Sequence, residues 1–177
     1  MCGICGIYNY LNKTPVDPSL LEKMNDALRA RGPDAEGYFI KGNIGLANKR
    51  LSIIDIEGGK QPIFNEDGKV CIVYNGEIYN YLELRESLKE KGHIFKTNTD
   101  TEVIVHLYEE YGQNCPKFLR GMFAFAIYDL RSQNPRLILC RDRFGIKPLY
   151  YYQDKEVLIF SSGVQTMVKS GLIPIER

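Results

Sequence analysis

The chain opens with MCGICGIYNY, residues 1–10, an apolar and aromatic stretch that starts almost at the first residue. Gly3–Tyr10 has the character of a buried β-strand, so we predict a first strand where most chains have a frayed terminus. Side chains three positions apart in a strand point to opposite faces. Cys2 and Cys5 are therefore expected to have separate roles, and Cys5 is interpreted as a small buried apolar residue.

Strand-like and helix-like blocks alternate along the rest of the chain. Three helices with one apolar face each are predicted: one that begins at Pro18 behind Asp17, one over Tyr79–Lys91, and one between Asp100 and Gly112. Further strands are predicted at Glu36–Ile40, Ile44–Leu51, Val70–Tyr74, Phe123–Tyr128, Leu137–Arg141, Leu149–Gln153 and Val157–Ser161. Many strands with few crossover helices favour antiparallel sheets, so the fold class is α+β with helices outside the sheets.

Composition excludes several classes of partner. With 177 residues, 23 Lys and Arg, and 22 Asp and Glu, the chain suits one near-neutral domain, and we expect no nucleic-acid or membrane binding. RDRFGIKPLYY, residues 141–151, mixes basic and aromatic residues, but it is short and is expected to pack beside the sheets. The longest apolar stretch, Met122–Tyr128, is too short to cross a bilayer. Five irregularly spaced cysteines indicate a reducing, cytoplasmic location.

The opening cysteine pair could be a metal or redox site, but its context disfavours both. A structural zinc site needs four ligands, and outside this pair only three isolated cysteines and the isolated His93 and His106 are available. We therefore expect no metal, and interpret His106 as a packing or surface residue. A thioredoxin-like pair would follow a strand and begin a helix, which this pair does not.

Cys2 has a second interpretation because only Met1 precedes it. Initiator methionine is usually removed before a small residue, and this would leave a free α-amine on the residue that carries the thiol. Such an amine titrates near pH 8 and could act as general base for its own thiol. From these residues alone, a nucleophile and an ordinary cysteine at the start of a strand remain equally open.

Eight motifs in order resemble one family, the class II glutamine amidotransferases. They are MCGICG (1–6), RGPD (31–34), RLSIID (50–55), QP (61–62), YNGEIYNY (74–81), TDTEV (99–103), GMFAFAIYD (121–129) and RDRFGIKPLYY (141–151). Within the family the chain is most similar to the glutaminase domain of glutamine-hydrolysing asparagine synthetases. The resemblance implies an N-terminal-nucleophile (Ntn) hydrolase fold over residues 1–177: a four-layer αββα sandwich of two antiparallel sheets between helical layers.

The resemblance also implies how an amide would be hydrolysed. Cys2 would be the nucleophile, and Asn75 with Gly76, just after a strand, would form the oxyanion hole. Taken alone, Asn-Gly is equally a hairpin signal. The RGPD segment, in contrast, is interpreted as a turn after the first helix, with Arg31 and Asp34 as an internal ion pair.

The same family pattern suggests how glutamine would be bound. Arg50 would bind the α-carboxylate and Asp100 the α-ammonium. Backbone groups of Leu51 and Ile53 would contact the amide end, and Glu77 would complete the wall of the glutamine pocket. Without the resemblance, Arg50 would be a solvated cation at a strand end and Asp100 a helix cap.

The expected activity is hydrolysis of L-glutamine to glutamate and ammonia, without cofactor. In the family, the ammonia serves asparagine synthesis from aspartate and ATP in a C-terminal synthetase domain, and ATP and Mg²⁺ are expected only there. No Ser-Gly-Gly-x-Asp loop for ATP occurs in the sequence. The chain is thus expected to be the first domain of a longer enzyme or to act with a separate acceptor subunit, and a homodimer is compatible with this. The alternatives are another acceptor, such as a sugar phosphate or phosphoribosyl amine, and a non-catalytic interaction module.

Overall fold

The computed structural model describes residues 1–174, whose strands and helices follow the predicted order. In chain order the elements are β1 (Gly3–Tyr8), α1 (Pro18–Asp26), β2 (Ala35–Lys41), β3 (Ile44–Arg50), β4 (Ile63–Phe64), β5 (Val70–Ile78), α2 (Tyr81–Glu90), α3 (Asp100–Tyr111), a 3-10 helix (Gly112–Phe118), β6 (Gly121–Asp129), β7 (Arg136–Arg141), β8 (Tyr150–Gln153), β9 (Leu158–Ser161) and α4 (Val164–Val168).

Two antiparallel sheets form the centre of the domain. One has the strand order β2-β3-β1-β9-β8 and the other β4-β5-β6-β7, and the strand pairs of both are antiparallel. β1 lies in the middle of its sheet, between β3 and β9. A strand covered on both faces needs apolar side chains on both, which explains why its sequence is uniformly apolar instead of alternating.

Three apolar clusters separate four layers. The first lies between the helical layer of α1 and α4 and the outer face of the five-stranded sheet that contains β1. It includes Cys5, Leu21 and Met167. The second, with Ile4 and Val73, fills the space between the sheets. The third lies between the four-stranded sheet that contains β5 and the helical layer of α2 and α3. This is the predicted αββα sandwich.

The two opening cysteines separate as expected. Cys5 is fully buried in the cluster beneath α1, whereas Cys2 precedes β1 and is half-buried. Among the described residues, no helix has the length and apolarity that crossing a membrane requires.

Several element boundaries differ from the prediction. β1 ends at Tyr8 because its neighbour β3 begins at the residue paired with it, Ile44. α2 begins at Tyr81, not Tyr79, because Tyr79 N donates to Arg120 O at 2.7 Å and holds that residue outside the helix. The two-residue β4, the 3-10 helix and α4 carry no periodic pattern long enough to predict them.

The largest difference concerns Asn75 and Gly76, which lie inside β5 and not after a strand. The hairpin interpretation of this pair is also wrong, because β5 stays paired with β6 beyond it, with Asn75 opposite Ala124 and Gly76 opposite Phe123. Glycine is required here by space, since a Cβ at Gly76 would lie 2.7 Å from the Phe123 Cα.

Candidate functional site

The eight predicted site residues line a single cavity of about 210 Å³. It opens at the ends of β1, β3 and β5 and at the beginning of α3, so each sheet and one helix contribute to it. The cavity is lined by all of Cys2, Arg50, Leu51, Ile53, Asn75, Gly76, Glu77 and Asp100. The structure thus brings together residues that are up to 98 positions apart in the sequence.

Cys2 is held at the cavity by the loop that follows β3. Its Sγ lies 3.4 Å from Leu51 N and 3.7 Å from Leu51 O. Arg31 Nε donates to the Cys2 carbonyl oxygen at 3.2 Å. The predicted ion pair between Arg31 and Asp34 is wrong, because Asp34 instead accepts a hydrogen bond from Ser52 N at 2.8 Å. The RGPD turn therefore positions both the thiol-bearing residue and the neighbouring loop.

Asn75 supplies a donor that the protein leaves unused. The residue is buried, and its Nδ2 donates to no acceptor within residues 1–174. Buried amide groups are nearly always hydrogen-bonded, because burial without a partner costs about 1–3 kcal/mol. A buried donor on a residue that lines the same cavity as a thiol is suited to binding an oxygen atom of a bound molecule.

Arg50 is buried and organises the loop that follows it. Its guanidinium donates to the carbonyl oxygens of Ile54, Asp55 and Ile56 at 2.7 to 2.9 Å. Asp55 has φ 50°, and the backbone N–H groups of Asn98 and Gly58 donate to its carboxylate and lower its pKa. The arginine is not the solvated strand-end cation that its sequence context alone suggests. It is a fixed positive charge at the cavity.

Asp100 provides the opposing negative group. It is the first residue of α3 and not its cap, because Thr99 is the N-cap residue. Its Oδ2 accepts hydrogen bonds from Tyr74 Oη at 2.7 Å and Ile78 N at 2.9 Å. Burial raises the pKa of this carboxyl, although both hydrogen bonds act against the shift. A bound cation would offset this cost of burial.

Gln61 and Lys147 also line the cavity, although the sequence predicted no role for them. Gln61 accepts a hydrogen bond from Tyr74 N at 2.7 Å and lies in the QP motif, which was the only signal for it. Lys147 is buried, and its Nζ lies 3.2 Å from Met1 Sδ. It belongs to RDRFGIKPLYY, which does not simply pack beside the sheets, because Phe144 is 85% exposed and Tyr151 66% exposed.

The environment of the thiols predicts selective modification. Burial raises the pKa of Cys71 and Cys115 to about 12 and that of Cys140 to about 11, and raises that of Cys5 as well. At pH 8 a thiol of pKa 11 is about one-thousandth thiolate. Iodoacetamide should therefore modify native protein first at Cys2, as read by peptide mass mapping. Modification of Cys5 or Cys115 at the same rate would contradict this.

Comparison with known proteins identifies the family of this domain. A profile described as glutamine amidotransferase domain matches residues 1–176. The chain belongs to this family. It is a class II glutamine amidotransferase domain, as the eight motifs indicated.

Relatives of this amidotransferase domain include asparagine synthetases. Asparagine synthetase [glutamine-hydrolyzing] 2 of Bacillus subtilis is 47% identical over 169 residues, which cover 94% of this chain and 22% of the relative. Asparagine synthetase [glutamine-hydrolyzing] 3 of Arabidopsis thaliana is 43% identical over 150 residues, which cover 85% of this chain and 25% of the relative. The chain thus spans about a quarter of the length of these proteins.

The fold of the amidotransferase domain is also found in solved structures. Glutamine phosphoribosylpyrophosphate amidotransferase from B. subtilis, complexed with ADP and GMP, superimposes with a TM-score of 0.77 at 22% identity. The match covers 96% of this chain and 44% of that one. This confirms the predicted Ntn-hydrolase type of sandwich.

Proposed function

We propose that this domain hydrolyses L-glutamine to glutamate and ammonia, with Cys2 as an N-terminal nucleophile. One observation carries the proposal: a single cavity is lined by a thiol, a buried arginine, a buried carboxylate and a buried amide whose donor has no partner among residues 1–174. These are the groups that amide hydrolysis of an α-amino acid requires. Membership of the amidotransferase family supports the same reaction.

Arg50 and Asp100 would select the amino-acid end of the substrate. A guanidinium has five N–H donors, and three hydrogen bonds from Arg50 are made to the loop carbonyls. Its remaining donors can bind the α-carboxylate. The α-ammonium would pair with Asp100, whose buried carboxylate gains from a positive partner. Leu51 and Ile53 would contact the amide end, and Glu77 would close the wall.

The chemistry follows from the placement of Cys2. Once Met1 is removed, the α-amine of Cys2 accepts the proton of its own thiol, and Sγ attacks the side-chain carbonyl carbon of glutamine. Asn75 Nδ2 and the Gly76 N–H bind the oxyanion. The C–N bond breaks, the amine returns the proton to the departing nitrogen, and ammonia leaves a γ-glutamyl thioester. Water then cleaves the thioester and releases glutamate.

The ammonia would serve a second reaction outside this domain. The names of the relatives support asparagine synthesis, and we propose that it uses aspartate and ATP in a further domain or on a separate acceptor subunit. Phe144 and Tyr151 are exposed and lie in the same segment as the cavity residue Lys147. They offer an apolar contact surface for the further domain or the acceptor subunit. A sugar phosphate or phosphoribosyl amine acceptor would use the same chemistry here, whereas a non-catalytic interaction module would not need the cavity.

The test is covalent labelling by a diazo-ketone analogue of glutamine. Intact mass and peptide mapping of untagged protein should show loss of Met1 and one stoichiometric adduct on Cys2. Arg50→Ala should lose this adduct because the analogue carries the same α-carboxylate, while its Cys2 should still react with iodoacetamide. If Met1 is absent and wild-type Cys2 stays unlabelled, the glutaminase proposal is wrong and the interaction module is the better account.

A further inference from the structure

A second group of functional side chains lies outside the cavity. Glu66 is in the turn between β4 and β5, His93 follows α2, and His106 and Glu109 are three residues apart on α3. One ligand atom from each of the four lies within 4.8 Å of all the others. None of them lines the cavity or takes part in the proposed reaction.

The distances within this cluster match a four-coordinate ion. Glu66 Oε1 lies 3.0 Å from His93 Nδ1 and 3.4 Å from His106 Nδ1. Glu109 Oε2 lies 3.1 Å from His106 Nδ1 and 3.8 Å from His93 Nδ1. Zinc binds nitrogen and oxygen at about 2.0–2.2 Å, so a tetrahedral site separates its ligand atoms by about 3.3–3.6 Å. The observed separations bracket this range.

The outer nitrogen of each imidazole faces a further carboxylate. His106 Nε2 lies 3.6 Å from Glu102 Oε1, and His93 Nε2 lies 3.4 Å from Glu110 Oε1. Histidines that bind metals usually direct the second ring nitrogen to a carboxylate or carbonyl, which fixes the tautomer. Both rings have this arrangement, with Nδ1 inward and Nε2 outward.

The acidic side chains are themselves anchored. Glu109 Oε1 accepts a hydrogen bond from Asn65 Nδ2 at 2.7 Å, which leaves Oε2 for the cluster. Glu102 accepts hydrogen bonds from the backbone N–H groups of Lys96 and Thr97, each at 2.7 Å. The surrounding structure therefore fixes one ligand carboxylate, Glu109, and one outer carboxylate, Glu102, before any ion binds, which favours a specific metal site.

Charge and burial also favour a cation here. Four carboxylates surround the two imidazoles, and Lys91 pairs only with the outermost of them, Glu110, at 2.7 Å. His106, which would bind the ion through Nδ1, is 0% exposed. Mixed imidazole and carboxylate ligands suit zinc, whereas magnesium and calcium prefer oxygen ligands alone.

We propose that Glu66, His93, His106 and Glu109 bind one Zn²⁺ ion in tetrahedral geometry. Four protein ligands leave no open position, so the site is structural. It joins the β4–β5 turn and the segment between α2 and α3 to α3, the helix that carries Asp100 into the cavity. The expectation of no metal considered only cysteine-based sites and histidines isolated in sequence. The inference does not depend on the proposed glutaminase activity.

The test is a Zn²⁺ titration of the metal-free chain in a Cys2→Ala background, which removes the competing cavity thiol. Calorimetry and elemental analysis should give one Zn²⁺ per chain, with a higher thermal midpoint. His93→Gln and His106→Gln should each weaken binding by more than about 100-fold, and Glu110→Gln by about 10- to 100-fold as an outer partner. Glu86→Gln, whose exposed carboxylate pairs with Lys89 elsewhere, should bind as the parent does.

Two results would overturn the site: a folded parent chain that binds no stoichiometric Zn²⁺, or binding that is unchanged by loss of His93. His93 decides the question if His106→Gln does not fold, because the His93 side chain is 12% exposed and at the edge of the packing. Co²⁺ provides a geometric test. Intense visible absorption, typical of tetrahedral cobalt, is expected, and the weak bands of an octahedral ion would contradict the proposed coordination.

Discussion

Cys2→Ser is expected to reduce glutamine hydrolysis by on the order of 10⁴-fold or more, as loss of a covalent nucleophile does in other hydrolases. Serine keeps the size of the side chain and, after removal of Met1, the same α-amine. Its hydroxyl ionises far less readily than a thiol and is a poor nucleophile without stronger activation. Because Cys2 is only half-buried and lies outside the three apolar clusters, the thermal midpoint should stay close to that of the parent.

Glutamate release, followed with a coupled dehydrogenase, gives the rate, and Cys140→Ser is the matched control. Cys140 is also half-buried, but it lies on β7 and does not line the cavity. This control should retain parental activity. Equal losses in the two variants, or substantial activity in Cys2→Ser, would remove Cys2 from the role of nucleophile.

The sequence allowed the fold and the cavity lining to be predicted because local and family patterns agree. A uniformly apolar β1 and helices with one apolar face define the layers. The eight predicted cavity residues lie in family motifs, so each of them could be assigned from its own short stretch of sequence. What these motifs could not give is local conformation: Asn75 and Gly76 look like a turn, yet pairing with β6 keeps them inside β5.

Features that depend on three-dimensional proximity were not predictable. His93 and His106 are 13 positions apart, and Glu66 precedes His93 by 27, so no metal-binding spacing is visible. The cluster forms only because α3 packs over the β4–β5 turn. Lys147 was missed for a similar reason, since nothing in RDRFGIKPLYY indicates that this one cation is buried at a cavity while Phe144 remains exposed.

Asn75→Ala is expected to lower kcat by about 10²- to 10³-fold while changing KM little. The loss corresponds to about 2.7–4 kcal/mol of transition-state stabilisation, the usual contribution of one oxyanion-hole donor. Glutamine should still bind, because Arg50 and Asp100 are untouched. The KM-against-kcat split distinguishes an oxyanion donor from a residue that only shapes the cavity, since loss of shape would raise KM.

Stability provides the second readout, and Asn48→Ala is its matched control. Asn48 is equally buried, but its Nδ2 donates to Gly3 O at 3.3 Å and Tyr74 O at 3.4 Å, linking the two sheets. Its loss should lower the free energy of unfolding by about 1–3 kcal/mol. Asn75 Nδ2 has no acceptor to lose within residues 1–174, so Asn75→Ala should leave the free energy of unfolding unchanged or raise it. Chemical denaturation of both variants separates the two cases. If Asn75→Ala destabilises the fold as much as Asn48→Ala does, Asn75 Nδ2 has a structural partner, and it is then not free to bind an oxyanion.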